Sequence, residues 1–305
     1  MEREFIDYLR RRLPAHPLLR LGPGDDAAVL RLAEGCDCVL TVDLLTDGVD
    51  FHLHEIDPRR AGRKSLAVNL SDLAAMASRP AAAVIALALP RSGAMQLAIE
   101  LYEGLLPLAE KYDLAVAGGD TNTWDGPLVV SITALGLVGP RGPLTRSGAR
   151  PRDRILVTGS FGGSILGHHL DFEPRVREAC LLAERYKLTA GIDASDGLSL
   201  DLSRVAAESR CGAVLRAEAI PIADAARRLS QQRADGTSPL EHALSDGEDF
   251  ELILAAAPEE ARRMLEDQPL EVPLSEVGYF TPEPGLWLAD EQGHLRPLEP
   301  RGWEH

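Results

Sequence analysis

Segments with helical and strand-like patterns alternate along almost the whole chain, and this alternation limits its fold more than any other feature. Asp57-Pro58 predicts the start of one helix, because Asp is a favoured N-cap and Pro is favoured at the first helical position. Apolar residues then recur with helical spacing at Leu66, Leu70 and Leu73. This alternation predicts an α/β or α+β fold in which helices pack against sheets.

The other elements follow from the same patterns. Further helices are predicted over residues 1–13, 94–111, 198–208 and 259–266. Strands are predicted over residues 27–30, 38–42, 83–89, 114–117, 128–137, 154–158 and 250–256. A glycine-rich turn at 159–163 is predicted to lead into a helix that contains His168 and His169.

One segment, residues 139–151, interrupts the alternation. It is rich in Gly, Pro and Arg, a composition typical of a linker. The chain has 305 residues, and a domain usually takes roughly 100–200. We therefore predict two domains, residues 1–139 and residues 150–305.

The charge and the apolar pattern exclude several classes of partner. The formal net charge is −15, and such a surface repels the phosphates of nucleic acids and anionic membranes. The first ten residues lack the apolar stretch of a signal peptide. The apolar run at 81–89 is far shorter than the roughly 18 residues of a membrane span. We predict a cytoplasmic protein that binds neither nucleic acid nor membrane.

Aspartates recur in short segments, often flanked by glycine, that resemble turns beside strands or helix starts. One Asp in a turn is ordinary, because its side chain caps the local backbone. Five such segments in one chain favour a shared functional site. They are Gly24-Asp25-Asp26, Asp43, Ser71-Asp72, Gly118-Gly119-Asp120-Thr121 and Asp193-Ala194-Ser195-Asp196-Gly197.

Carboxylates in such numbers predict a site for divalent metal and phosphate. Mg²⁺ prefers hard oxygen ligands and is usually held by a few carboxylates together with substrate phosphates. Clustered carboxylates repel one another unless cations neutralise them. Metal and carboxylates together suit phosphoryl transfer, which depends mainly on positioning and charge neutralisation.

Motifs of several other enzyme classes are absent from the sequence. It has no P-loop, no protein-kinase motif set and no G-x-S-x-G nucleophile elbow. Residues 22–27 mimic a dinucleotide fingerprint, but a strand-like run follows them instead of a helix. The pair Cys36-x-Cys38, in an apparent strand, is weak evidence for a metal site because the sequence has no second close pair of cysteines. The pair His52-x-His54 has the spacing of a metal pair on a strand, but this pattern is more typical of a surface or core role.

The order of the aspartate segments resembles that of the thiamine-monophosphate kinases, which belong to the superfamily of aminoimidazole ribonucleotide synthetase. Each segment alone is weakly specific, whereas the ordered set is highly specific. The matching segments extend over nearly the whole chain and comprise residues 22–29, 41–43, 48–51, 69–72, 117–121, 146–148, 193–198 and 247–252.

The resemblance implies an N-terminal domain that dimerises through its sheet, a C-terminal α/β domain, and ATP bound between them. It also implies transfer of phosphate from ATP to thiamine phosphate with the help of several Mg²⁺ ions.

The metal ligands implied by position are Asp26, Thr41, Asp43, Asp72, Asp120, Asp193 and Asp196. Among them, the implied catalytic residues are Asp43, Asp72 and Asp120. The implied ATP contacts are Gly119, Asp120, Arg146, Ser195 and Tyr102. The implied acceptor contacts are Asp50, Glu248 and Trp303.

The chain departs from the family pattern at two positions. Val42 stands where the family often has a hydroxyl residue, and Asp50 stands where it often has His. Two alternatives remain open at this point. One is a different ATP-dependent enzyme of the same superfamily, and the other is a non-catalytic nucleotide-binding regulator.

Overall fold

The computed structural model describes residues 19–21, 25–33, 36–233 and 235–303. The helix predicted over residues 1–13 lies outside this part of the chain. The predicted α/β class is confirmed, because two mixed sheets are combined with helices. The first sheet ends at residue 138 and the second begins at residue 154, on either side of the Gly- and Pro-rich segment.

The N-terminal half is built on a six-stranded sheet with the order β1-β2-β3-β6-β4-β5. Neighbouring strands are antiparallel except for β4 and β5, which are parallel. Its strands are β1 (Leu19–Leu21), β2 (Ala28–Ala33), β3 (Cys36–Thr46), β4 (Ser78–Pro90), β5 (Ala115–Trp124) and β6 (Val129–Val138). Its helices in the described residues are α1 (Pro58–Ala75) and α2 (Ala94–Lys111).

The C-terminal half is built on a seven-stranded sheet with the order β13-β12-β9-β11-β7-β10-β8. The strands are β7 (Arg154–Thr158), β8 (Leu188–Asp193), β9 (Gly212–Arg216), β10 (Leu252–Ala256), β11 (Leu274–Thr281), β12 (Gly285–Ala289) and β13 (Leu295–Pro297). The helices are α3 (His168–Asp171), α4 (Val176–Arg185), α5 (Leu198–Glu208), α6 (Asp224–Arg233), α7 (Pro239–Ser245) and α8 (Pro258–Asp267).

Helix α1 begins as the sequence predicts. The Asp57 side chain accepts a 2.9 Å hydrogen bond from the backbone N–H of Arg59, and Pro58 is the first helical residue. Further along, α1 crosses α2 at very short range. A Cβ atom on Gly62 would lie 2.0 Å from the carbonyl oxygen of Leu101, and one on Gly104 would lie 1.8 Å from that of Arg59. Glycine at both positions therefore lets the two helix backbones touch.

Helix α1 also joins the two halves. Its apolar residues share one hydrophobic core with the N-terminal sheet, with α4 and with one face of the C-terminal sheet. Its polar residues cross to the C-terminal half at two points: Arg60 pairs with Asp171 at 2.5 Å, and Arg63 donates to the carbonyl oxygen of Phe172 at 2.6 Å. Lys64 and Ser71 add two further contacts described below. The spacing of these residues puts them along one side of the helix.

Several local predictions are wrong. Asp43 lies inside β3, Asp72 lies in the last turn of α1, and Asp120 lies inside β5, so none of the three is in a turn. Strand pairing and helix packing here override the turn preference of Asp and Gly. His54 lies in a turn and His52 directly before it, so neither lies in a strand, and their ring centroids are 5.6 Å apart.

The outer face of the N-terminal sheet is apolar and exposed. Val42 and Leu44 on β3 are 60% and 64% exposed, and Val84 on β4 is 46% exposed. The opposite face carries Thr41 and Leu45, which are buried. Among the described residues, no helix combines the length and the apolarity that crossing a membrane would need.

Candidate active site

Three aspartates from distant parts of the chain meet between the two halves. Asp26 precedes β2, Asp72 lies near the end of α1, and Asp193 ends β8. One carboxylate oxygen from each lies within 4.8 Å of the other two. We call these residues the aspartate trio. All three are among the metal ligands that the resemblance implies.

Hydroxyl groups orient two members of the trio. Thr41 Oγ1 donates a hydrogen bond to the carboxylate of Asp72, and Ser71 Oγ donates one of 2.5 Å to Asp193. Thr41 and Asp72 both belong to the N-terminal half, whereas the Ser71–Asp193 bond connects the halves. Thr41, another metal ligand that the resemblance implies, therefore lies beside the trio.

Burial and like charge raise the pKa of several carboxyl groups. The pKa values of Asp72 and Asp193 lie well above the usual range, first because their carboxyl groups are desolvated and then because neighbouring carboxylates repel the ionised form. Burial, followed by the charge of Asp50, raises the pKa of Asp43 to about 7. Asp43 shares one face of β3 with Thr41, whose hydroxyl contacts Asp72, so it lies beside the trio, and its charge also raises the pKa of Asp72.

The site contains buried oxygens that need a cation. Oδ2 of Asp26 and Oδ2 of Asp43 are buried, and neither accepts a hydrogen bond from the described residues. A buried acceptor without a partner loses its hydration without compensation. Carboxylate and hydroxyl oxygens are the ligands that Mg²⁺ prefers, so the donor set and these two oxygens fit Mg²⁺.

Arg146 lies against the trio from the segment between the two sheets. Its Nη2 donates to Asp26 Oδ1 at 2.5 Å, and its backbone N–H donates to Asp25 Oδ2 at 3.2 Å. Burial, followed by repulsion from Asp26, raises the pKa of Asp25 to about 7. Sequence reasoning did not assign a role to Asp25, although it stands beside Asp26 in the same segment.

Asp196 lies close to the trio in sequence but is held by a different partner. Arg204 Nη1 contacts Asp196 Oδ2 at 2.5 Å and Asp201 Oδ1 at 2.6 Å. The other oxygen of Asp201 accepts the backbone N–H groups of Asp196 and Gly197 at 2.9 and 3.0 Å. The fully buried Asp201, which sequence reasoning missed, therefore shapes the turn that contains Ser195 and Asp196. The sequence feature that could have pointed to Asp201 is its position in the first turn of a predicted helix, where an acidic side chain is favoured.

Asp120 is not brought to the trio within one chain. It is exposed, and it pairs in register with Ala86 of β4, which is also exposed. Paired residues on adjacent strands share a face, so Asp120 shares the outer face with Val84 and Ala86. Gly119 lies beside it in β5, and Tyr102 is half-buried on α2.

Val42 also lies away from the trio. Its side chain is on the outer face of β3, whereas Thr41 and Asp43, its neighbours in the strand, face the opposite side. A hydroxyl group on the side chain of residue 42 would therefore point away from the trio of the same chain.

The three residues expected to bind the acceptor lie around the same junction. The carboxylate of Asp50 accepts the backbone N–H of Thr46 at 2.7 Å, and that of Glu248 pairs with Lys64. The backbone N–H of Trp303 donates to the carbonyl oxygen of Asp196 at 3.0 Å. The side chain of Trp303 is 55% exposed, so the backbone is anchored while the indole remains accessible.

Comparison with known proteins places this architecture in one class. The family described as AIR synthase related protein, N-terminal domain, matches residues 24–138, and the corresponding C-terminal domain matches residues 145–290. The fold and the acidic site thus define an AIR synthase related protein.

Individual relatives narrow the class further. The thiamine-monophosphate kinase of Rhodopirellula baltica is 44% identical over 100% of this chain and 97% of its own length. The structure of AaThiL complexed with AMPPCP and TMP matches with a TM-score of 0.85 and 25% identity over 100% of this chain and 96% of that one. The thiamine-monophosphate kinase structure from Stenotrophomonas maltophilia matches with a TM-score of 0.75 and 33% identity, covering 93% of this chain and 95% of that one. The chain belongs to the thiamine-monophosphate kinase family.

Proposed function

We propose that the chain transfers the γ-phosphoryl group of ATP to thiamine phosphate, giving ADP and thiamine diphosphate. The aspartate trio is the observation that carries the proposal, because it concentrates carboxylate oxygens within 4.8 Å between the two halves. Family membership supports it, as does the likeness to AaThiL complexed with AMPPCP and TMP. Phosphoryl transfer depends chiefly on such positioned charge.

Mg²⁺ is part of this proposal. Asp26, Asp72 and Asp193 would hold it, with Thr41 and Asp43 beside them. When bound, Mg²⁺ neutralises the carboxylates and polarises phosphate oxygens. Asp120 and Asp196 remain metal ligands by resemblance, and the contacts described above do not place either of them in the trio.

The acceptor needs no general base. A phosphate monoester has a second pKa of about 6, so at neutral pH it is already largely a dianion and a nucleophile. The task left to the protein is to hold two anions in line, which favours direct transfer over a phosphoenzyme. Around the trio, Arg146 holds Asp26, Thr41 orients Asp72, and Ser71 orients Asp193.

A product assay tests the activity. Purified protein is incubated with ATP, Mg²⁺ and thiamine phosphate, and the products are separated by chromatography. We expect thiamine diphosphate and ADP in equal amounts. Release of orthophosphate without thiamine diphosphate would indicate another branch of the superfamily, and binding of ATP without any turnover would indicate a regulator.

A homodimer through the outer face of the N-terminal sheet is a further part of the proposal. The exposed side chains of Val42, Leu44 and Val84 form an apolar face of the kind that marks an interface. In a symmetric pair, Asp120 on this face would meet the partner subunit.

Two other predictions from the sequence also remain proposals. They are the domain limits at residues 139 and 150 and the cytoplasmic location.

Light scattering after size-exclusion chromatography tests the dimer. We expect Leu44→Asp and Val84→Asp to shift the protein to a monomer, because each buries a charge in the apolar interface. Leu295→Asp is the matched control, since Leu295 is 52% exposed on β13, an edge strand of the other sheet. A wild type that is monomeric at micromolar concentration would contradict the proposal.

A further inference from the structure

Lys64 is a buried cation at the junction between the two halves. It lies on α1, and its side chain is 1% exposed. A buried ammonium group is costly unless it is paired and hydrogen-bonded. Lys64 has such partners: Nζ donates to the backbone carbonyl oxygen of Asp50 at 2.8 Å and forms an ion pair with Glu248 Oε1.

The two partners of Lys64 come from opposite halves. Asp50 lies in the turn between β3 and α1, and Glu248 lies between α7 and β10. Both are residues that the family resemblance assigns to the acceptor, so within the proposed function one ammonium group connects two parts of the same binding site. Lys64 itself was not among the residues singled out from the sequence.

Glu248 is held in an unusual conformation. Its φ of 54° is in the left-handed region, and its backbone N–H donates to the carbonyl oxygen of Ser195 at 2.6 Å. Its side chain is 34% exposed, although Oε1 contacts the buried Lys64. The carboxylate therefore contacts Lys64 on one side and is partly exposed to solvent on the other. Its direction depends on the ion pair.

We propose that Lys64 is a positioning residue for the acceptor, a role that rests on the proposed function. Through its contacts with the carbonyl group of Asp50 and the carboxylate of Glu248, it sets the separation between the two sides of the acceptor site. Loss of the ammonium group leaves Glu248 without its inward partner, so its carboxylate no longer has one fixed direction. The resulting defect is in the binding of thiamine phosphate and spares ATP.

The test is a double-mutant cycle on the KM for thiamine phosphate. We expect Lys64→Met to raise this KM about tenfold, the scale of one charge-assisted hydrogen bond, with the KM for ATP unchanged. In the Glu248→Gln background, Lys64→Met should add little, because the two residues act as a unit. Arg60→Met is the matched control, since it removes another contact between the halves, the pair with Asp171, without touching the acceptor residues.

The outcomes separate this inference from the proposed function. If the wild type converts thiamine phosphate but Lys64→Met leaves the KM for thiamine phosphate unchanged, the positioning role is wrong. It is also wrong if Lys64→Met raises this KM as much in the Glu248→Gln background as in the wild type. An equal rise of this KM in the Arg60→Met variant would assign the effect to general loosening of the junction and would also overturn the positioning role. A wild type that neither binds nor converts thiamine phosphate overturns both. If Lys64→Met does not fold, Lys64→Gln is judged by the same criteria, because it also removes the charge.

Discussion

Ser71 and Asp193 are 122 residues apart in the sequence, yet the Ser71 hydroxyl donates a 2.5 Å hydrogen bond to the Asp193 carboxylate. Both side chains are buried, and Asp72, the next residue after Ser71, belongs to the trio with Asp193. This bond therefore fixes the C-terminal member of the trio against the helix that carries another member.

Ser71→Ala should weaken both the fold and the metal site. Loss of a donor to a buried carboxyl group should lower the free energy of unfolding by about 1–3 kcal/mol without metal. It should also raise the Mg²⁺ concentration that gives half-maximal activity. Burial is the main reason why the pKa of Asp193 is already raised, and loss of the hydroxyl donor raises this pKa further. Protons then compete better with Mg²⁺ for the carboxylate. Urea unfolding and Mg²⁺ titration measure these effects. Ser203→Ala, which removes a hydroxyl contact within α5, should show no change in Mg²⁺ requirement.

Asp43→Asn should lower activity while stabilising the metal-free protein. We expect kcat to fall about 100-fold, on the scale of removing one main electrostatic stabiliser. Because burial raises the pKa of Asp43 from 3.8 to about 7, ionisation destabilises the native state increasingly between about pH 4 and pH 7, and fully above it. The gain in melting temperature, measured with EDTA, should therefore be larger at pH 8 than at pH 5. Asp125→Asn, at an exposed position, should show neither effect.

Asp120→Asn should lower kcat without changing the melting temperature, because Asp120 is exposed. If Asp120 serves the site of the partner subunit, mixing this variant with Asp72→Asn should restore activity. Each mixed dimer would then contain one intact site, giving about one quarter of wild-type activity after random exchange. Recovery no greater than the sum of the two separate variants would mean that both carboxylates act within one chain.

Trp303→Ala and Asp50→Ala should each raise the KM for thiamine phosphate several-fold. The indole face can bind the cationic thiazolium ring, an interaction worth roughly 0.5–2 kcal/mol. The anchored backbone and exposed side chain of Trp303 fit this role. Steady-state kinetics with each substrate varied in turn provides the measurement. A parallel rise in the KM for ATP would remove these two residues from the acceptor site.

Gly62→Ala should destabilise the protein, because its added Cβ would lie 2.0 Å from the carbonyl oxygen of Leu101. Overpacking of this kind costs about 1–3 kcal/mol or more, since a backbone must move. Gly139→Ala is the control, because nothing lies within 4 Å of the Cβ it would add. Equal midpoints of urea unfolding for the two variants would contradict the close crossing of α1 and α2.

Much of the fold could be predicted where local signals agree. The helices at Ala94–Lys111 and Leu198–Glu208 and the strand Arg154–Thr158 have the predicted limits. Their apolar spacing is uninterrupted, and glycine precedes both helices. The strand Ala115–Trp124 was missed beyond residue 117, because Gly118 and Gly119 resemble a turn. Pairing with β4 holds this segment extended, and such pairing cannot be read from a local pattern.

The site could be predicted in part. Asp26, Asp72 and Asp193 were found because their segments recur in a recognisable order, and the structure brings them together. Lys64 and Asp201 could not be found in this way. A charged residue in a helix usually faces solvent, and burial here depends on partners that the sequence does not place nearby. For Lys64, the partner Glu248 is 184 residues away.

The position of α1 sets a condition for exchanging parts between relatives. A hybrid enzyme could keep residues 1–149 of this chain and take the remainder from another kinase. Its two parts would be compatible only if the new part matched the side of α1 that carries Arg60, Arg63, Lys64 and Ser71. Overall sequence identity would be a poor guide to such a choice. Substituting the residues of the other kinase at these few positions of α1 could rescue a hybrid that folds but does not turn over.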